Sequence, residues 1–152
     1  MVGPTHRVEY EQMLLARHGL VEHHRHGRAK TDRLDRSAYI LLSRLRAQGP
    51  MSIGELSEAF GLDASTLNRQ TAAVMRAGLA ERIPDPQGGM ARKFRISEQG
   101  AERLDGEREL ILASLDRVMA DWTSDEVAAF AHCLQRFNTD IERLAGSPWP
   151  RP

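Results

Sequence analysis

The chain has 152 residues, of which 21 are Lys or Arg and 21 are Asp or Glu, so its formal net charge is zero with histidine neutral. That length suits one domain with a core of its own, and the lone Cys133 excludes an internal disulfide and points to a reducing compartment. No apolar run approaches the ~20 residues of a membrane span, and the start, MVGPTHRVEYEQ, lacks a signal-peptide pattern, so the expected location is cytoplasmic with no membrane partner.

In chain order, apolar spacing predicts a first helix from about Thr5 to His26, weakened by Gly19. A stronger helix is expected from Leu34 to Arg46, where Ala38, Leu41, Leu42 and Leu45 recur at helical intervals until Gly49-Pro50. Ser52 and Glu55 stand at capping-box spacing and open a short helix that buries Leu56 and Phe60. Gly61 stops that helix at a sharp turn, and Asp63 is placed to cap the next, which runs to about Ala77 with Leu67, Thr71 and Val74 facing inward. Gly78 ends it. Leu79 to Ile83 reads as a strand, residues 84–89 as a hairpin tip, and Arg92 to Ile96 as the return strand, with Ser97 as the following cap. The last third is helical. Leu104, Ile111, Leu115 and Met119 mark one stripe, and a second capping box at Thr123 and Glu126 starts another helix through Leu144. The final GSPWPRP reads as a disordered tail.

Helix, tight turn, helix, strand, Gly-rich hairpin, strand is the order of a winged helix-turn-helix, whose second helix fits a DNA major groove. The fold class expected is therefore mainly α, a winged helix-turn-helix core with flanking helices, and the expected partner is double-stranded DNA. Local charge agrees: between Leu62 and Ile96 six basic residues face three acidic ones, a surplus of three on an otherwise neutral chain. With Leu67, Thr71 and Val74 inside, Ser65, Asn68 and Arg69 fall on the outer face. Ser65, Thr66, Asn68 and Arg69 are the candidates to read or position the major groove. Arg76, Arg92, Lys93 and Arg95 are the candidates to hold phosphates, the last three from the hairpin. Strand alternation sends Arg92 and Phe94 one way and Lys93 and Arg95 the other, so one set faces away from DNA.

The stretch LSEAFGLDASTLNRQTAAVMRAGLAER followed by IPDPQGGMARKFRISEQGAERL resembles the MarR (multiple antibiotic resistance regulator) family of bacterial transcription factors. The Gly78-Leu79 junction, the Pro84-Asp85-Pro86 start of the wing and the Ile96-Ser97-x-x-Gly100 exit carry the resemblance, which spans about residues 5–146. It implies an obligate homodimer with interlaced terminal helices, acting as a repressor on a palindromic operator and in many members released by a small-molecule effector. The chain departs from the family at the wing tip, where Gly88 and Met90 occupy the places of the usual acidic and basic residues. The expected division is residues 1–33 as N-terminal dimerisation helix and linker, 34–97 as DNA-binding region, 98–146 as C-terminal dimerisation helices and 147–152 as tail, in one structural domain.

A two-fold pair reads two half-sites about 34 Å apart, and the long C-terminal apolar stripe has burial against a second chain as its simplest use. Leu115, Phe130, Phe137 and Ile141 are the interface candidates. Tyr39, Met13 and His18 are named for an effector pocket, whose ligand the sequence leaves unknown. His18, His23 and His26 share a helical face, but flanking arginines oppose a cation and no thiol or carboxylate cluster completes a site, so neither metal nor other cofactor is expected. Cys133 reads as a buried, inert thiol. No phosphate cradle or catalytic spacing stands out, and an enzyme is not expected. The competing readings are a winged-helix protein-interaction module without DNA activity and a metal-responsive regulator.

Overall fold

The computed structural model describes residues 3–18 and 33–152. Six helices and one two-stranded antiparallel sheet are seen among them: α1 (Pro4–His18), α2 (Arg36–Gln48), α3 (Ile53–Phe60), α4 (Ala64–Arg76), β1 (Ala80–Ile83), β2 (Lys93–Ile96), α5 (Glu98–Val118) and α6 (Ser124–Ala145). This is a mainly α winged helix-turn-helix, as expected. The first helix is described only to His18, so the part expected at 19–26, with its histidine run, lies outside the described residues.

Each helix of the central lobe begins where a side chain satisfies its free N–H groups. Asp35 accepts from the Ala38 N–H at 2.8 Å to start α2, and Ser52 and Glu55 form the expected capping box on α3. Gly61 closes α3 in the left-handed region (φ 63°). Asp63 occupies the N-cap of α4, but its carboxylate makes no cap bond. It takes the Thr66 hydroxyl proton instead, because a side-chain donor one turn on competes with the backbone N–H.

The core lies between α2, α3, α4, the sheet and the first turns of α5. Leu41, Leu42, Leu45, Met51, Leu56, Leu67 and Leu104 are its fully buried members. Thr71 is buried among them and sends its hydroxyl proton to the Leu67 carbonyl at 2.8 Å, so the polar group is satisfied inside its own helix. The sheet has a third contributor that periodicity misses: Met51, a single residue between α2 and α3, exchanges backbone hydrogen bonds with Phe94 (3.0 and 2.8 Å).

The link from α4 through the sheet to α5 is a tight backbone joint. The Gly78 and Leu79 N–H groups return to the Met75 and Val74 carbonyls (both 2.9 Å), a Schellman closure that requires positive φ at Gly78 (76°). The Ser97 hydroxyl then donates to the Gly78 carbonyl (2.6 Å) and accepts from the Gly100 N–H (2.9 Å), capping α5. A Cβ on Gly100 would stand 2.0 Å from the Leu79 carbonyl oxygen, so no side chain fits there.

Two further ties join α5 to the α2 region. Glu107 is buried and accepts three hydrogen bonds from the Arg33 guanidinium (2.6–3.1 Å), while Arg46 pairs with Asp105 at the surface (2.5 Å). In contrast, α1 and α6 contain no buried residue. Cys133, expected to be buried, is exposed for the same reason. The tail departs from expectation too. Trp149 packs its ring on Phe60 (centroids 5.6 Å apart), lies under the Arg44 guanidinium (4.7 Å) and donates its backbone N–H to Glu142 (3.1 Å). Its terminal position suggested disorder, but an indole with an apolar and a cationic partner has reason to dock.

Two glycines of α5 give opposite expectations. Alanine in place of an open helical glycine stabilises by about 0.5–1 kcal/mol, and Gly106 has nothing within 4 Å of its added Cβ. At Gly100 the added carbon meets backbone, and overpacking costs about 1–3 kcal/mol. Urea unfolding should therefore shift to a higher midpoint for Gly106→Ala and a lower one for Gly100→Ala.

Candidate nucleic-acid interface

The exposed side of α4 and the hairpin between β1 and β2 gather the residues singled out above. Ser65, Asn68 and Arg69 are exposed on α4, Thr66 is half-buried, and Leu67, Thr71 and Val74 face the core. The helix therefore presents a polar side that its own chain leaves uncovered. Along its first turns runs a short polar chain: the Arg69 guanidinium donates to the Thr66 hydroxyl (3.4 Å), which donates to Asp63. The hydrogen bonds from Thr66 hold the Asp63 carboxyl below its ordinary value, so it stays charged beside the arginine.

Arg76 is exposed in the last turn of α4, and Arg92, expected to open the return strand, is exposed one residue before β2 begins. The expected alternation holds from Lys93 onward. Phe94 turns into the core, while Lys93 and Arg95 point the other way. Both of those cations have partners inside the fold. The Arg95 guanidinium donates to Glu81, its cross-strand neighbour, at 3.0 Å. The Lys93 ammonium lies 3.0 Å from Glu55 and 3.8 Å from Asp85, tying the wing to the capping box of α3. Arg82 lies over the Phe94 ring at 5.3 Å. Arg76 and Arg92 carry no such tie among the described contacts, and Met90 stands fully exposed at the hairpin tip.

Residues 34–88 match the family model described as MarR family. A relative in Bacillus subtilis (strain 168), the uncharacterized HTH-type transcriptional regulator YxaD, is 33% identical over 136 residues, covering 90% of this chain and 94% of its own. The chain belongs to the MarR family. It is by family a DNA-binding transcriptional regulator. Among solved structures, one of MarR superimposes with a TM-score of 0.74 at 19% identity, covering 95% of each chain. Wild-type apo MarR from E. coli gives 0.67 at 17% identity, over 90% of this chain and 98% of that one. Bordetella bronchiseptica BpsR, solved to explain regulation of its DNA binding by 6-hydroxynicotinic acid, gives 0.66 at 14%, over 87% and 98%. At these identities the likeness is one of fold.

In this MarR-family chain the sequence missed the partners of the wing cations. Glu81 opposite Arg95 follows from hairpin register alone. Glu55 beside Lys93 does not, because α3 and the wing are joined only by tertiary packing. The residues named for an effector pocket are scattered: Tyr39 packs against the central core, while Met13 and His18 belong to α1. A different cleft, of about 1120 Å³, opens between α1 and α6, walled by Val8, Leu15, Phe130, Leu134 and Phe137. Among the described residues no three His, Cys, Asp or Glu side chains converge as a metal site would require, and no helix is long and apolar enough to cross a membrane.

The wing tie has a titration signature. Lys93 is the main cause that lowers the Glu55 carboxyl from its ordinary value, against the opposing effect of burial. A depressed carboxylate stabilises the fold above its unfolded pKa, about 4.3, and that contribution is lost as pH falls through the depressed value. In a carboxyl NMR titration, Lys93→Gln should move the Glu55 midpoint upward; an unmoved midpoint removes the pair from the account.

Proposed function

We propose that the chain acts in the cytoplasm as a homodimeric repressor, which sets α4 of each protomer into successive major grooves of a palindromic operator. One observation carries this reading: α4 leaves a polar side exposed, and α6 leaves an apolar stripe exposed. Phe130, Leu134, Phe137, Ile141 and Leu144 follow one another at alternating intervals of four and three residues, the spacing of a helix–helix seam. Phe130, Phe137 and Ile141 remain 44%, 43% and 48% exposed, too much large apolar surface in one stripe for a solitary chain. A second copy laid on α6 and α1 buries it and fills the cleft between them. Leu115, half-buried on α5, is assigned to the same interface.

Ser65, Thr66, Asn68 and Arg69 meet base edges or the flanking phosphates, with Arg69 pre-set along the helix by Thr66. Arg76 and Arg92 hold phosphates. Arg95 reaches DNA by exchanging Glu81 for phosphate, and Lys93 serves mainly to hold the wing against α3. Regulation of BpsR by 6-hydroxynicotinic acid supports a small-molecule effector that biases the distance between the two α4 helices.

A footprint on the DNA beside the coding sequence tests the whole reading, with two protected half-sites about one turn apart as the expected result. Arg69→Ala should cost about 1–3 kcal/mol and relax one base position; an equal loss on every sequence assigns that arginine to the backbone. Arg92→Ala should lower the salt slope by about one unit. Sedimentation velocity should find the native chain paired and Phe137→Glu solitary, and a native chain that sediments as a monomer at high concentration ends the proposal.

A further inference from the structure

The segment after α6 has no part in the reading above, yet it makes more specific contacts than any other piece of α6. Trp149 packs its ring at 5.6 Å on Phe60, the last residue of α3, which immediately precedes the turn into α4. The Arg44 guanidinium, on α2, covers the same indole at 4.7 Å and reaches toward the Pro148 carbonyl (3.4 Å). Arg44 is itself buried, so the indole and Gln48, which accepts from its Nε at 2.8 Å, stand in for the water it has lost. Glu142 closes the loop back onto α6: it accepts the Trp149 backbone N–H and both ends of the Arg151 guanidinium (2.8 and 2.5 Å). Residues 142–151 thus form a folded strap. It runs from the last turns of α6 to the corner between α2 and α3, while α6 itself buries no residue in its own chain.

We propose that Trp149 is a positioning residue: it locks the helix-turn-helix to the end of α6, and so sets the distance and angle between the two α4 helices of a pair. The proposal rests on the paired reading above. Its physical content is simple. A dimer helix that touches its own DNA-binding lobe only through α5 leaves that lobe free to swing about one joint. A second attachment at Phe60 removes the swing. The indole is suited to the task because it supplies a large rigid contact at the cost of two torsions, and because it engages both a ring and a cation.

Trp122 and Trp149 are the two tryptophans of the chain, so Trp122→Phe leaves Trp149 as the sole indole reporter. In that background acrylamide should quench Trp149 weakly, and adding Arg151→Ala, which loosens the Glu142 closure, should raise quenching. Quenching at the level of free tryptophan in the parent overturns the docked strap, whether or not the chain pairs. The second arm uses the shortest duplex that the native chain protects, and the same duplex with one base pair added between the half-sites. That insertion moves one half-site by about 3.4 Å and turns it by roughly 35°. The native chain should lose affinity for the lengthened duplex about tenfold or more. Trp149→Ala should bind the original duplex several-fold more weakly and discriminate little between the two. Mere loss of stability weakens both duplexes alike, so unchanged discrimination in Trp149→Ala overturns the positioning role. A native footprint with one half-site only sinks the paired reading and the spacing role with it, and the quenching result then judges the docked strap alone.

Discussion

The structure depends on one joint, where the Gly78-Leu79 backbone meets Ser97 and Gly100. Leu79 does three things there. Its N–H closes α4 on the Val74 carbonyl, its carbonyl accepts the Ser97 N–H, and its side chain enters the core. Gly100 must be glycine because the first turn of α5 lies directly on that carbonyl. The outcome is that the end of the DNA-facing helix, the root of the wing and the start of the long helix are fixed to one another by backbone hydrogen bonds, over a span of residues that have no freedom to slide. Side-chain packing elsewhere can drift by rotamer changes, but a carbonyl pressed against a helix backbone cannot.

Around that joint the charges divide into two kinds. Those within the lobe are consumed by the fold: Glu107 with Arg33, Lys93 with Glu55 and Asp85, Arg95 with Glu81. The buried Arg33–Glu107 pair contributes geometry more than stability, since the desolvation of two charges offsets most of their attraction. It holds the approach to α2 against the middle of α5. Those on the outside of α4, chiefly Arg69 and Arg76, stand without an acidic partner at hydrogen-bonding distance among the described contacts. A net charge of zero is therefore no argument against a polyanionic partner. What bears on it is local: Arg69 and Arg76 are exposed on α4, Asp63 is held by Thr66, and Glu55, Asp85 and Glu81 are paired with wing cations.

How much of this the sequence disclosed follows the range of the forces involved. Local signals were legible: the capping boxes at Ser52 and Thr123, the stop at Gly78, the inward stripe of Leu67, Thr71 and Val74, and the cap at Ser97 all depend on neighbours within a few residues. The order of these elements carried the fold, and the fold carried the family. What was not legible needed tertiary placement. Met51 joins the sheet as one residue with no strand pattern around it. Asp63 gives its carboxylate to Thr66 and not to the backbone, a choice between two local donors that spacing leaves open. The nearer partner of Lys93, Glu55, comes from α3, far along the chain. Trp149 was lost to its terminal position, which reads as a disordered tail, and the residues it docks on, Arg44 and Phe60, lie about ninety positions earlier. Cys133 was misplaced because burial was inferred from apolar neighbours on α6, and those neighbours have nothing in their own chain to be buried against.

The architecture then poses a mechanical problem that its contacts answer. On the paired reading proposed above, changes among the terminal helices would have to reach the spacing of two α4 helices, and a helix with no buried residue is a poor lever for that. α5 supplies one rigid arm, anchored at Gly100 and held along its length by Leu104, Asp105 and Glu107. One arm alone allows rotation about its root. The attachment of Trp149 at the end of α3 supplies a second point, apart in sequence from the joint at Leu79. Two separated attachments convert a hinge into a frame, and within a frame a shift of α6 becomes a shift of α4. The difference between the two attachments matters as much as their number. The joint is backbone on backbone and does not yield, whereas the strap is one indole between a ring and a cation, strong enough to set a resting geometry and weak enough to release it.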